Sequence, residues 1–172
     1  MRLVDAIREG VEIVKLNREA VRRVAAEPEA FSMGIIITAV MGLAAWLEPT
    51  THRSWEIFTG PIAALFWLFA FTAVFHFAAL MLGGRGDYMA LLRVFGVGRV
   101  LGWIVIIPWL GKLVFTIWTL AIAVVVIGEV HRLDQFKAIL CVVLPIIALL
   151  FLWFIVVTLR VSLTTLSFLF GV

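Results

Sequence analysis

The chain has 172 residues, of which 64% are hydrophobic and only 15% charged, with a formal net charge of +3. A soluble domain carries closer to a quarter charged residues, and a soluble core of this length cannot absorb the excess apolar surface, so much of the chain must face lipid. One cysteine, Cys141, rules out an internal disulfide, and the basic excess is not interleaved with stacking aromatics, which rules against a nucleic-acid surface.

Residues 1–29 hold recurring charges and no apolar run of the roughly 7–15 residues that a secretion signal needs, so they are expected to stay cytoplasmic. They predict one amphipathic helix. Val4, Ile7, Val11, Val14 and Val21 recur at helical spacing along one stripe. Arg8, Lys15 and Arg22 repeat on one flank, and Asp5, Glu12 and Glu19 on the next, so that each acid has a base three positions on. Arg18 interrupts the stripe, and Pro28 ends the helix and suits the first turn of the first span. Two readings are open: an interfacial helix lying on the cytoplasmic leaflet, or a docking helix whose narrow stripe packs on a partner or a second copy.

Five apolar stretches come next, at 31–47, 61–82, 89–107, 113–128 and 138–159. About 20 apolar residues span the hydrocarbon layer, so residues 30–172 predict an all-α, polytopic membrane domain with five transmembrane helices. If the amino terminus is inside, eleven of the fourteen Lys and Arg are inside: Arg2, Arg8, Lys15, Arg18, Arg22, Arg23, Arg85, Arg93, Arg99, Arg132 and Lys137. Arg53, Lys112 and Arg160 are outside. This asymmetry predicts N-in, C-out. Trp46, Trp55 and Trp109 fall near the outer ends, where indole rings favour the headgroup level; Trp67, Trp118 and Trp153 lie deeper and read as packing residues, and Trp103 fits either place.

Within the first stretch, Gly34, Thr38 and Gly42 lie four apart, and the third has Gly98 and Gly102; both patterns predict close helix approach. Arg93 and Arg99 are costly at membrane depth, unless 88–98 lies along the cytoplasmic surface and only 99–108 dips in. Pro108 and Gly111, flanking Trp109, predict a break in either case. His76, between Phe75 and Phe77, predicts a hydrogen bond to a threonine or to backbone, with ligation of a haem or pigment as the alternative; His52 and His131 are assigned to loops, so no second deep histidine is expected. Glu129, His131, Arg132 and Asp134 predict a polar turn in which Asp134 caps the last helix, without the ligand spacing of a metal site. Cys141 reads as a small apolar filler. Pro145 is expected to kink the last span, and 161–172 either prolongs it or lies in the outer interface.

The run Gly83-Gly84-Arg85-Gly86-Asp87-Tyr88-Met89-Ala90-Leu91-Leu92-Arg93-Val94-Phe95-Gly96 resembles that of prokaryotic Yip1-domain proteins. So do Ile107-Pro108-Trp109-Leu110-Gly111, Ile117-Trp118, Glu129-Val130-His131-Arg132-Leu133 and Lys137-Ala138-Ile139. The resemblance implies five transmembrane helices, a cytosolic amino terminus and no catalytic residues. Eukaryotic relatives act in vesicle trafficking and contact Rab GTPases and one another. This chain departs from them in lacking a long cytosolic extension, and has Val97-Gly98 where many relatives place an aromatic-alanine pair. Both departures weigh against a GTPase partner.

The expected function is that of a non-enzymatic scaffold or accessory subunit in a prokaryotic cytoplasmic membrane. It would need no cofactor or nucleic acid, and its partners would be lipids, other membrane proteins or a second copy. Arg93, Arg99, His76, Glu129, His131 and Arg132 are the candidate functional residues. A small transporter or channel with Arg93, Arg99 and His76 along a path is the competing expectation, and a haem- or pigment-binding subunit through His76 the third.

Overall fold

The computed structural model describes the backbone of residues 1–44, 56–107 and 109–170, and side chains over 1–43, 57–107 and 109–161. The end of the first apolar stretch with Trp46, the loop after it with His52, Arg53 and Trp55, and Pro108 lie outside the described residues.

Among the described residues every regular element is helical. The amino-terminal segment is two helices rather than one, α1 (Leu3–Val14) and α2 (Arg18–Ala26). The break has a local cause: Leu16 takes a left-handed φ of 63°, and the Asn17 side chain accepts from the N–H groups of Glu19 and Ala20, capping a new helix. The face of α1 turned to the protein is Ala6, Gly10 and Ile13, whereas Val4, Ile7 and Val11 of the valine stripe are exposed; Val21 of α2 is buried. Of the three acid–base pairs read from spacing, only Glu12–Lys15 forms as expected, at 2.7 Å. Asp5 pairs with Arg2, Glu19 with Arg23, and Arg22 reaches across to Glu129.

Then come α3 (Ala30–Ala44), α4 (Glu56–Met81) and α5 (Tyr88–Gly98), which runs directly into a 3-10 helix at Arg99–Ile106. Next come α6 (Leu110–His131) and α7 (Gln135–Phe170). Trp109, with φ 59°, stands at the N-terminus of α6 and is 87% exposed. The last helix continues through the polar tail to Phe170, and Pro145 lies within it. Asp134 caps it, accepting from the Lys137 N–H at 3.0 Å.

The middle of the bundle is α5. Leu91, Leu92, Val94, Gly96 and Val97 are buried there, with α1, α2, α3 and α4 all packed on it. Close approach to α3 depends on Gly34 and Gly96: a Cβ built on Gly96 would stand 2.9 Å from the Gly34 Cα, and one on Gly34 3.1 Å from the Gly96 Cα. Thr38 adds a long hydrogen bond, 3.5 Å, to the Gly96 carbonyl. Gly42 turns instead to α4, against Gly60 and Pro61, and Gly102 accommodates Met41. Both small-residue patterns thus mark close helix packing, although the α3 pattern serves two neighbours.

Four segments are long and apolar enough to cross a membrane: Ile57–Met81, Tyr88–Ile106, Leu110–His131 and Gln135–Val161. Counting the bent pair Arg18–Ala26 and Ala30–Leu43, which meet at 112°, as one span gives five. Their outer surface is what lipid requires. Phe58, Ile62, Phe66, Phe77 and Met81 of α4 are exposed, and every residue of α7 from 147 to 161 is exposed. Trp153 is consequently not a packing residue but 65% exposed, and Trp67 is likewise half-exposed, stacked on Phe71 at 5.3 Å. Cys141 is buried in the core.

Gly96→Ala is expected to cost about 2 kcal/mol through overpacking and to lower the thermal midpoint in detergent by about 5 °C. Gly128→Ala, whose Cβ would meet nothing nearer than 3.5 Å, is expected to leave the midpoint unchanged or raise it slightly. Thermal unfolding of the two variants beside the parent protein checks both.

Candidate functional site

The six polar residues marked by the sequence fall in three places. Arg93, Glu129 and Arg132 surround α2, His76 and His131 meet each other, and Arg99 stands apart.

Helix α2 is held against the bundle by charge at both ends. Its exposed Arg18 and Arg22 reach the Glu129 carboxylate of α6 at 3.3 and 2.7 Å. Glu129 itself is only 9% exposed at the side chain, so most of its solvation is replaced by these two guanidinium groups. At the far end of α2, Arg93 of α5 donates to the Ala25 carbonyl at 2.9 Å, a cation placed where the helix leaves its carbonyls unpaired. Arg93 is thereby a positioning group for α2. Beside it lies a cleft of about 630 Å³. Val21, Ala25, Ala26, Ala90 and Gly128 form its apolar part; Arg22, Glu129 and Arg132 supply charge. Arg132 is in the left-handed region, φ 54°, where it ends α6 and is exposed.

On the same end of the bundle the Gly-Gly-Arg-Gly turn wraps the last residue of α6. Gly83, at φ 88°, reverses the chain after α4; the Gly84 N–H then donates to the Ala79 carbonyl at 2.8 Å, and the Arg85 N–H to the His131 carbonyl at 3.2 Å. A Cβ on Gly84 would stand 2.9 Å from the His131 Cβ, so the turn could not lie this close with larger residues. Asp87 then caps α5 by accepting from the Ala90 N–H at 3.0 Å.

His131 is accordingly not a loop residue. It closes α6, is 1% exposed, and its Nε2 lies 3.0 Å from Nδ1 of His76. One imidazole donates and the other accepts. His131 Nδ1 is buried with no hydrogen-bond partner among the described residues. The Tyr88 ring packs edge-on against His76 at 5.6 Å, and its hydroxyl donates to the Phe69 carbonyl at 3.3 Å. His76 thus finds a second histidine rather than the expected threonine or backbone group. No group of three or more His, Cys, Asp or Glu side chains comes together among the described residues.

Sequence reasoning left out Arg18 and Arg22 as partners of Glu129, and Trp118, whose indole N–H donates to the Val14 carbonyl at 2.7 Å and ties α1 to α6. An acid at the end of an apolar helix and two arginines one turn apart on α2 were the available signals. Arg99 lines a separate chamber between α4, α5 and α6; Arg93 and His76 are not part of its lining.

The Yip1 domain matches this chain over residues 12–156, which includes α2, the glycine turn, the histidine pair and the α6–α7 junction. The chain belongs to the Yip1 family. No curated protein and no solved structure matches it. The Gly83-Gly84-Arg85-Gly86-Asp87 run of this Yip1-family chain has a physical role: it lets one helix hairpin close on the end of the next.

At the exposed α1–α2 junction, the hydrogen bonds from Lys15 (2.7 Å) and Asn17 (3.2 Å) hold the Glu12 carboxyl below its ordinary value. The Glu9 carboxylate correspondingly raises Arg23. A depressed carboxylate stabilises the folded junction above its unfolded pKa, and that contribution is lost as pH falls through the lower, folded value. Acidification below about pH 4 should therefore lower the protection factors of the Leu16 and Asn17 amides, measured against the intrinsic exchange rate at each pH. In Lys15→Ala the loss of protection should begin at higher pH. Glu129→Gln should loosen α2 by about 1 kcal/mol, read as roughly fivefold faster tryptic cleavage after Arg18, Arg22 or Arg23.

Proposed function

We propose that this Yip1-family membrane protein is a non-enzymatic scaffold or accessory subunit, which binds a protein partner at the end of the bundle formed by α2, the glycine turn and the α6–α7 junction. The observation that carries the reading is the cleft beside α2. Its apolar alanine and valine floor and its rim of Arg22, Glu129 and Arg132 suit a side chain with an apolar stem and a polar tip. Part of what holds α2 in place is ionic, through the exposed Arg18 and Arg22, so a partner that competes for Glu129 can shift the helix. No constellation of nucleophile, base and orienting group accompanies the cleft among the described residues.

The proposed topology has five spans, with α3 as the first, and the amino terminus, the cleft and the histidine pair in the cytoplasm of a prokaryotic cell. The distribution of basic residues supports it, with nine on that side against three even when Arg93 and Arg99 are placed in the span. Accessibility tags on the two termini should report opposite sides of the membrane.

Purification in a mild detergent tests the partner reading. A companion protein should come down with the parent chain and be lost in Ala26→Arg, which fills the cleft from its edge, while the thermal midpoint stays within about 2 °C. A strictly monomeric species with nothing bound would overturn the scaffold role.

A further inference from the structure

Arg99 occupies the junction at which α5 changes from an α-helix to a 3-10 helix. It is eleven residues past Tyr88 in the Tyr88–Ile106 span, or about 16 Å by helical rise. It makes no hydrogen bond or ion pair with any described residue, and it borders a chamber of about 260 Å³. Phe71 and Phe75 of α4, Phe95 of α5, and Phe115 and Leu120 of α6 give the chamber its apolar walls. Thr72 also lines it and lies near the middle of Ile57–Met81; its hydroxyl is already used, donating to the Leu68 carbonyl at 2.7 Å. No Asp or Glu lines the chamber.

A permanent cation beside four phenylalanines at membrane depth is expensive unless an anion or water compensates it. The chamber itself offers no anion. Its walls are apolar, and its volume lies just under the lower end of the range for small-molecule sites, which suits part of one alkyl chain. We propose that this chamber binds an acyl chain carrying an anionic headgroup, with the headgroup paired to the Arg99 guanidinium and the chain lying among Phe71, Phe75, Phe95 and Phe115. The headgroup chemistry required is a planar or tetrahedral oxyanion that can accept two guanidinium N–H bonds. A free fatty acid supplies it as a carboxylate, and an anionic phospholipid that inserts one of its chains supplies it as a phosphate. The 3-10 winding that starts at Arg99 fits a backbone adapted locally to a site, since such a segment within a span is otherwise unfavourable.

The test uses the full-length protein, delipidated in a neutral detergent, with binding measured by native mass spectrometry. The probes are oleate, oleyl alcohol, phosphatidylglycerol and phosphatidylcholine. One oleate or one phosphatidylglycerol per chain, held at least tenfold more tightly than oleyl alcohol or phosphatidylcholine, is the expected result. Preference for oleate identifies a fatty acid as the occupant, and preference for phosphatidylglycerol identifies a lipid phosphate. Arg99→Gln should lower that binding at least tenfold, and Arg99→Lys should lower it less than Arg99→Gln does, because the lysine retains the charge but not the paired N–H bonds. Equal binding of charged and neutral probes, or undiminished binding in a folded Arg99→Gln, would overturn the proposal. Should Arg99→Gln fail to fold, Thr119→Phe decides instead: it leaves the charge in place and fills the chamber, so unchanged oleate and phosphatidylglycerol binding in that variant would also overturn it.

Discussion

The approach of two backbones at Gly34 and Gly96 fixes the rest of the arrangement. Lipid tails offer no hydrophobic drive for one apolar helix to leave them for another, so association in a membrane relies on dispersion between closely packed surfaces and on the few polar groups that meet there. With α3 drawn against α5 at this point, α5 lies in the middle of the molecule, and α1, α2 and α4 cover its remaining faces. Arg93 then projects from α5 to the end of α2, and Arg99 projects toward α4 and α6. Both positions depend on the central place of one helix.

The two ends of the functional region are held by different physics. Helix α2 is attached by its buried Ala20, Val21 and Val24 and also by charge, with Glu129 nearly buried beneath two exposed arginines. The hairpin between α4 and α5 is attached by shape, through glycines that let its backbone lie on Val130 and His131. A charge-held element responds to salt and to competing charges, whereas a shape-held one does not.

Much of the architecture was legible in the sequence. The long apolar runs became α4 and α6 with boundaries shifted by a few residues and α7 with an end eleven residues beyond its run, the glycine patterns marked close packing, and Asp134 capped α7 as its position suggests. The amino-terminal segment was less legible for a definite reason. Helical periodicity assigns large apolar residues to the protein side, but α1 puts Ala6, Gly10 and Ile13 there, because a Cβ on Gly10 would already stand 2.7 Å from the Val97 carbonyl oxygen. Asn17 offered a capping signal for a second helix, and the seven-residue charge repeat running through it concealed the break. The meeting of His76 with His131 is a contact over 55 positions, which no local pattern carries. A shared end of two spans was its single trace in the sequence.

Helix α7 is 36 residues long, about 54 Å, against a hydrocarbon layer of about 30 Å. Its stretch from 147 to 161 is exposed at every residue, so the rest of the bundle gives this part little support. With so little packing to fix its inclination, the helix must lean or emerge according to how thick the surrounding bilayer is. Local membrane thickness therefore enters this molecule as a mechanical variable at α7, while the packed helices behind it keep their mutual geometry.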